Sequence, residues 1–254
     1  MADVKDEDAL AFMQKVTTPP RQNPPRVAAA LRGAARVDVD TPTGKVAAWR
    51  LGDGPAVLLS HGWSGDNSTW NTLIEALAAR GRAVVAVDHP GHGLSADAFC
   101  TRGAAGDALR AVAAKLGPID AAAGHSFGGP ALAKALADGL GAKRVVFIAA
   151  APAKSLRWLR AAEEMGVDRA IAERALEIGT KRGDMFDMGA PGAHQQARAL
   201  FIHSKDDPVV RYQASEASSA AWPGAELFLV DGLGHSAILD DRAVVERAAT
   251  FLAG

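Results

Sequence analysis

The sequence predicts an α/β protein, a mostly parallel eight-stranded sheet flanked by helices, and two features carry that expectation. From Ala56 to Ala149, apolar runs of about five residues alternate with longer segments of helical spacing, the pattern of parallel strands buried on both faces. The run Ile119–Ala123 breaks at Gly124-His125-Ser126-Phe127-Gly128-Gly129, and small and apolar residues resume from Ala131 to Leu140. That reads as strand, sharp turn and helix, with Pro130 in the first helical turn, where its missing N–H costs nothing.

The elements follow in order. Ala9, Leu10, Met13 and Val16 stand at helical spacing behind acidic residues, predicting a short amphipathic N-terminal helix. Prolines then crowd residues 17–26 and favour an extended surface segment, so an N-terminal extension of about 1–35 precedes the sheet. Val37–Val39 and Val46–Leu51, on either side of Pro42-Thr43-Gly44, read as an antiparallel pair. Strands at 56–60, 83–87, 119–123 and 144–149 alternate with helices at 70–80, 104–116 and 131–140. Between about 152 and 198 this rhythm stops, with helices expected at 155–165 and 167–178 and a loop at 183–192. An interruption of that length suits a helical lid inserted into one α/β domain spanning 1–254. The rhythm returns with strands at 199–203 and 225–230 and helices at 212–221 and 243–252.

Composition narrows the class. The chain has 254 residues, 48% hydrophobic, enough for one sizeable core. With net charge −1 and no basic block, neither nucleic acid nor an anionic membrane is expected as a partner. The longest apolar runs are strand-sized and the first residues are acidic, so a cytoplasmic protein is expected. The single cysteine, Cys100, excludes an internal disulfide and reads as a bystander. No metal-ligand spacing and no dinucleotide-binding glycine pattern occurs, so neither a metal nor a cofactor is expected. Nothing in the sequence fixes an oligomeric state.

The chemistry centres on Ser126. A serine hydroxyl is a poor nucleophile near neutral pH and needs a base within hydrogen-bond reach and an acid to orient that base. In sheets of this kind reactive groups collect beyond the carboxyl ends of the strands. Asp206 and Asp207 follow the strand at 199–203, and His235 follows the strand at 225–230. Serine, acid and histidine therefore occur at strand ends, in that chain order.

Four local patterns resemble those of the α/β-hydrolase family: His61-Gly62-Trp63, Asp88-His89-Pro90-Gly91-His92-Gly93-Leu94-Ser95, Gly124-His125-Ser126-Phe127-Gly128 and Gly234-His235, within a resemblance spanning roughly Val46 to Leu252. The resemblance implies the α/β-hydrolase fold, with Ser126 as nucleophile, His235 as base and Asp207 as orienting acid. It also implies an oxyanion hole from the backbone N–H groups of Trp63 and Phe127. The acid loop departs from the family's pattern by carrying Ser204 in place of a glycine, and the family spacing counted from there selects Asp207 over Asp206. A serine at 126 implies acyl transfer on a small-molecule ester or thioester, not the aspartate chemistry of dehalogenases and epoxide hydrolases. A perhydrolase, lactonase or amidase would use the same residues, and a ligand receptor with slow or single turnover is the rival from another class.

Other residues carry weaker signals. His61, His89 and His92 lie in turns without a ligand pattern and read as structural. His125 is expected to pack or hydrogen-bond beneath the elbow, and His194 and His203 have no motif around them. Trp63, Trp70, Trp158, Met165, Met185, Phe186 and Met188 can line an apolar acyl pocket or serve as packing.

Overall fold

A computed structural model describes residues 4–21, 24–151, 155–190 and 192–254. The expected start of the insertion at 152 and residues 1–3, 22 and 23 of the expected N-terminal extension lie outside these. The strands are β1 (Arg36–Thr41), β2 (Gly44–Leu51), β3 (Ala56–Ser60), β4 (Ala83–Val87), β5 (Ile119–His125), β6 (Arg144–Ile148), β7 (Arg198–Ser204) and β8 (Glu226–Val230). They form one eight-stranded sheet in the order β1-β2-β4-β3-β5-β6-β7-β8. The β1–β2 and β2–β4 pairs are antiparallel, and all the others are parallel. Ser60 pairs with Gly124 and Ser204 with Val230, so the carboxyl ends of the parallel strands share one edge.

The helices are α1 (Asp6–Thr17), α2 (Asn71–Ala78), α3 (Arg102–Leu116), α4 (Gly128–Ala137), α5 (Ser155–Glu164), α6 (Arg169–Lys181), α7 (Gln213–Ala221) and α8 (Arg242–Ala253). Side chains alternate across the sheet with period two. Val57 and Leu59 of β3 pack with Leu73, Ile74 and Leu77 of α2 and with Val244 and Leu252 of α8. Leu58, between them, packs on the other side with Leu109 of α3 and Leu132 of α4. Every residue of β3 and β4 is buried, which is why these strands read as continuous apolar runs. Each such Val or Leu contributes about 1.5–3 kcal/mol.

Several helix ends differ from expectation, set by side-chain caps or by a glycine just past the end. α3 starts at Arg102, earlier than expected, because the Thr101 hydroxyl accepts the Ala104 N–H at 3.1 Å. Ahead of α2, Asp66 accepts the Ser68 N–H at 3.0 Å and starts a 3-10 turn over Asn67–Trp70. α4 stops at Ala137, just before Gly139 at φ +98.

The N-terminal extension is fastened at two places. In the first, Phe12 and Met13 of α1 share a cluster with Trp158 and Ala162 of α5 and Ala172 and Ala175 of α6, and Asp6 pairs with Arg174 at 2.7 Å. Further on, the N–H groups of Arg26, Ala28 and Ala30 donate to the side chains of Asp66 (3.1 Å), Asn67 (2.8 Å) and Asn71 (2.9 Å). Asn67 is held in turn by Asp88, whose Oδ1 accepts from its backbone N–H and its amide. Among the described residues, no helix is long and apolar enough to cross a membrane. Cys100 is buried, and burial pushes its thiol up.

Candidate active site

Ser126 sits between β5 and α4 with φ +50, in the left-handed region that a residue with a Cβ rarely adopts. The conformation is held by hydrogen bonds from Ser126 N–H to the Ile148 carbonyl (3.0 Å) and to the Ser126 carbonyl from the N–H groups of Gly129 and Ala151 (each 3.1 Å). Two glycines make the turn possible. A Cβ on Gly124 would lie 2.7 Å from the Gly128 carbonyl oxygen. One on Gly128 would lie 2.5 Å from the His61 oxygen and closer still to that of Ser60.

Residues far apart in the chain meet at this turn. His235 Nε2 lies 3.0 Å from Ser126 Oγ, and His235 Nδ1 lies 2.7 Å from Asp207 Oδ2. The Asp207 side chain is fully buried, whereas that of His235 is 14% exposed. Asp207 Oδ1 also accepts from the N–H groups of Val209 (2.8 Å) and Val210 (2.9 Å). Burial alone would raise the Asp207 carboxyl, but the hydrogen bonds from His235, Val210 and Val209 outweigh it and hold the group below its usual range. Asp206 is turned elsewhere: it accepts from the Ser204 hydroxyl and from the Gly234 N–H at 3.2 Å. Phe127 immediately precedes α4, where the first N–H groups lack partners within the helix. The rings of Trp63 and Phe127 meet edge to face at 5.3 Å beside Ser126.

The histidines around the site are neutral hydrogen-bonding groups. His61 Nδ1 donates to the Gly62 carbonyl at 2.7 Å and Nε2 accepts the His89 N–H at 3.0 Å. His89 Nε2 pairs with Ser60 Oγ at 3.0 Å, and His92 Nδ1 donates to the Pro90 carbonyl at 2.9 Å. Burial pushes His61 down to about 4 and His92 to about 3, with His89 well below its ordinary value. Among the described residues no group of His, Cys, Asp and Glu has the arrangement to hold a metal ion. His125 Nε2 donates to the His235 carbonyl at 3.0 Å, and burial lowers its pKa to about 4.

His203 had no signal in its surroundings, yet its ring touches the site. Its Nε2 is 3.1 Å from Asp207 Oδ2, the oxygen that His235 also contacts. The pointer available in the sequence was a lone polar ring ending the otherwise apolar run Ala199–Ile202, four residues before Asp207.

Among the described residues, two cavities open on Ser126 and His235. One, of about 1000 Å³, runs toward α5 and is lined by Trp63, Phe127, Trp158, Met165 and Met185, with Val16 from the end of α1. The other, of about 390 Å³, is lined by polar groups including Ser64, Ser68, Thr69, Asp240 and Arg26. Of the aromatic and methionine candidates, Trp70 and Met188 instead lie in the cores on the two sides of the sheet. Phe186 also packs against a core and meets the His194 ring at 5.0 Å.

Residues 57–248 match the profile of the Alpha/beta hydrolase family. The chain is 27% identical over 152 residues to a pimeloyl-[acyl-carrier protein] methyl ester esterase of Nitrosomonas europaea, covering 59% of either protein. It is 44% identical over 80 residues to the dihydrolipoyllysine-residue acetyltransferase component of an acetoin cleaving system from Pseudomonas putida, covering 30% of this chain and 21% of that one. Neither match reaches two thirds of the relative's length. Among solved structures, an esterase of Pyrococcus furiosus superposes with a TM-score of 0.66 at 18% identity, covering 93% of this chain and 96% of that one. At that identity the likeness speaks to the fold.

Proposed function

The chain belongs to the alpha/beta hydrolase family, and from that premise we propose that it is a serine hydrolase cleaving a small or medium carboxylic ester or thioester through an acyl-enzyme. The chief support is the unbroken hydrogen-bond chain from Ser126 Oγ through His235 to Asp207, at 3.0 and 2.7 Å. In this reading Ser126 Oγ attacks the carbonyl carbon as His235 Nε2 takes its proton. Asp207 accepts the hydrogen bond from Nδ1 and stabilises the imidazolium that forms. The N–H groups of Phe127 and Trp63 hold the developing oxyanion. His235 then gives its proton to the departing alcohol or thiol. A water molecule, deprotonated by the same nitrogen, attacks the acyl-enzyme, and Ser126 recovers its proton as the acid leaves.

The insertion carrying α5 and α6 serves as a lid, and the apolar part of the substrate occupies the cavity beneath α5. An ester is favoured because the Nitrosomonas europaea relative is named as an esterase. Turnover of aryl esters and labelling by a serine-directed phosphonate test the proposal. Both are expected for the wild type, and both should vanish in Ser126→Ala. Persistent labelling of that variant would put the nucleophile elsewhere, and a single burst without further turnover would favour a receptor.

A further inference from the structure

We infer that His203 is a positioning residue for this hydrolysis: it fixes the Asp207 carboxylate by donating a hydrogen bond from Nε2, and through Asp207 it sets the ring of His235. The inference rests on the serine-hydrolase reading.

A wholly buried imidazole costs stability unless its nitrogens are paired, and both are. Nδ1 lies 2.7 Å from Ser215 Oγ at the start of α7, and Nε2 lies 2.9 Å from the Val210 carbonyl and 3.1 Å from Asp207 Oδ2. The two neighbours of Nε2 are both acceptors, so Nε2 carries the proton. Ser215 can donate, so Nδ1 is left as an acceptor. Burial lowers the pKa of His203, against the raising effect of Val210 and Asp207, which is consistent with a neutral ring. Neutrality matters here: a cation in this place would compete with the His235 imidazolium for the charge of Asp207, whereas a neutral donor orients the carboxylate and leaves its charge in place.

Asp207 is thus held by donors on both oxygens. Val209 and Val210 N–H hold Oδ1, while His235 and His203 share Oδ2. Of the two Oδ2 partners, His235 changes protonation in every cycle and cannot serve as a fixed anchor. His203, near the carboxyl end of β7, can. Without it Oδ2 is tied only to the group it is meant to orient, in a buried site where water does not readily substitute.

Two substitutions separate positioning from packing. The amide nitrogen of glutamine reaches the place of Nε2, whereas asparagine reaches only the place of Nδ1. His203→Gln is expected to keep kcat within about threefold of wild type, and His203→Asn to lose about tenfold or more in kcat with KM within about twofold, the size of one lost hydrogen bond. The downfield proton resonance of His235 Nδ1–H should persist in His203→Gln and shift or broaden in His203→Asn. The wild type supplies a check independent of how either variant folds: ¹⁵N NMR should report His203 as a neutral Nε2–H tautomer at neutral pH. A cationic or Nδ1–H ring overturns the inference. So does a His203→Asn variant with wild-type kcat and an unchanged resonance, or equal impairment of both variants. If Ser126→Ala keeps turnover, the serine-hydrolase reading itself fails; if Ser126→Ala is inactive while His203→Asn is fully active, only the role given to His203 fails.

Discussion

His125 Nε2 lies 3.0 Å from the carbonyl oxygen of His235, so the residue beside Ser126 holds the backbone of the residue whose ring meets the Ser126 hydroxyl. The two imidazoles lie with centroids 4.9 Å apart and planes tilted by 44°, and burial keeps His125 neutral, a donor that adds no charge next to His235. His125→Ala should release the 231–236 loop without disturbing the turn at Ser126. The expected outcome is a fall of about tenfold in kcat/KM for aryl esters, the scale of one hydrogen bond, with phosphonate labelling of Ser126 retained. A variant with wild-type kcat/KM would show that the loop needs no such anchor.

The adjacent aspartates should separate cleanly. Asp207 meets His235 Nδ1, whereas Asp206 joins the Ser204 hydroxyl to the Gly234 N–H. Asp207→Asn offers His235 an amide that no longer compels the Nδ1–H tautomer, and kcat should fall by about 10³-fold or more. Asp206→Asn alters only the support of the loop and should cost less than about tenfold. Steady-state kinetics of the two variants side by side decide it; similar losses would contradict the division of roles.

Stability should fall on mild acidification. Burial holds His61 and His125 at about 4, His92 at about 3 and His89 well below its ordinary value, while the same side chains in the unfolded chain take up protons near 6.5. Between about pH 6.5 and 4 the unfolded state therefore binds more protons, and stability is lost as pH drops through that window. Asp88 works in the opposite sense. Burial, only partly offset by hydrogen bonds from Leu94 and Asn67, raises it to about 6, so the folded form protonates first and gains as pH falls from about 6 toward 3.8. With His203, which burial also lowers, five histidines oppose the two carboxyls that burial raises, Asp88 and Asp184, so the thermal unfolding midpoint should drop between about pH 7 and pH 5. His92→Gln should flatten that slope, and a midpoint that rises over this interval would contradict the excess of proton uptake by the unfolded chain.

The sheet was legible in the sequence because β3, β4 and β6 are buried on both faces and leave no polar break in their runs. Helix ends were less so: those around Thr101 and Asp66 depend on side-chain caps whose acceptor geometry is invisible in a string of letters. The amphipathic spacing of α1 revealed a buried face, while its partner α6 lies some 160 residues away and had no local signal. Serine, acid and histidine stood out because a strand end precedes each, but Trp70 and Met188 were as eligible for the cavity as Trp158 and Met165. Which apolar side chains face a cavity and which face a core depends on how the insertion sits on the sheet, and spacing along the chain does not encode that.

The cavity beneath α5 offers a direct test of chain length. Ala161 lies on the cavity face of α5 with Trp158 three residues before it, the spacing of side chains that share one helix face, and Met165, just past the helix end, lines the same cavity. Ala161→Trp introduces an indole into the space assigned to the apolar part of the substrate and leaves the Ser126–His235–Asp207 chain untouched. Across a series of aryl esters from acetate to laurate, kcat/KM should fall by more than about tenfold for the long acyl chains and stay within about threefold for the short ones. A uniform loss across the series would indicate that the substitution disturbs the site as a whole. No loss at any length would mean that the acyl chain lies on the Arg26 side of Ser126.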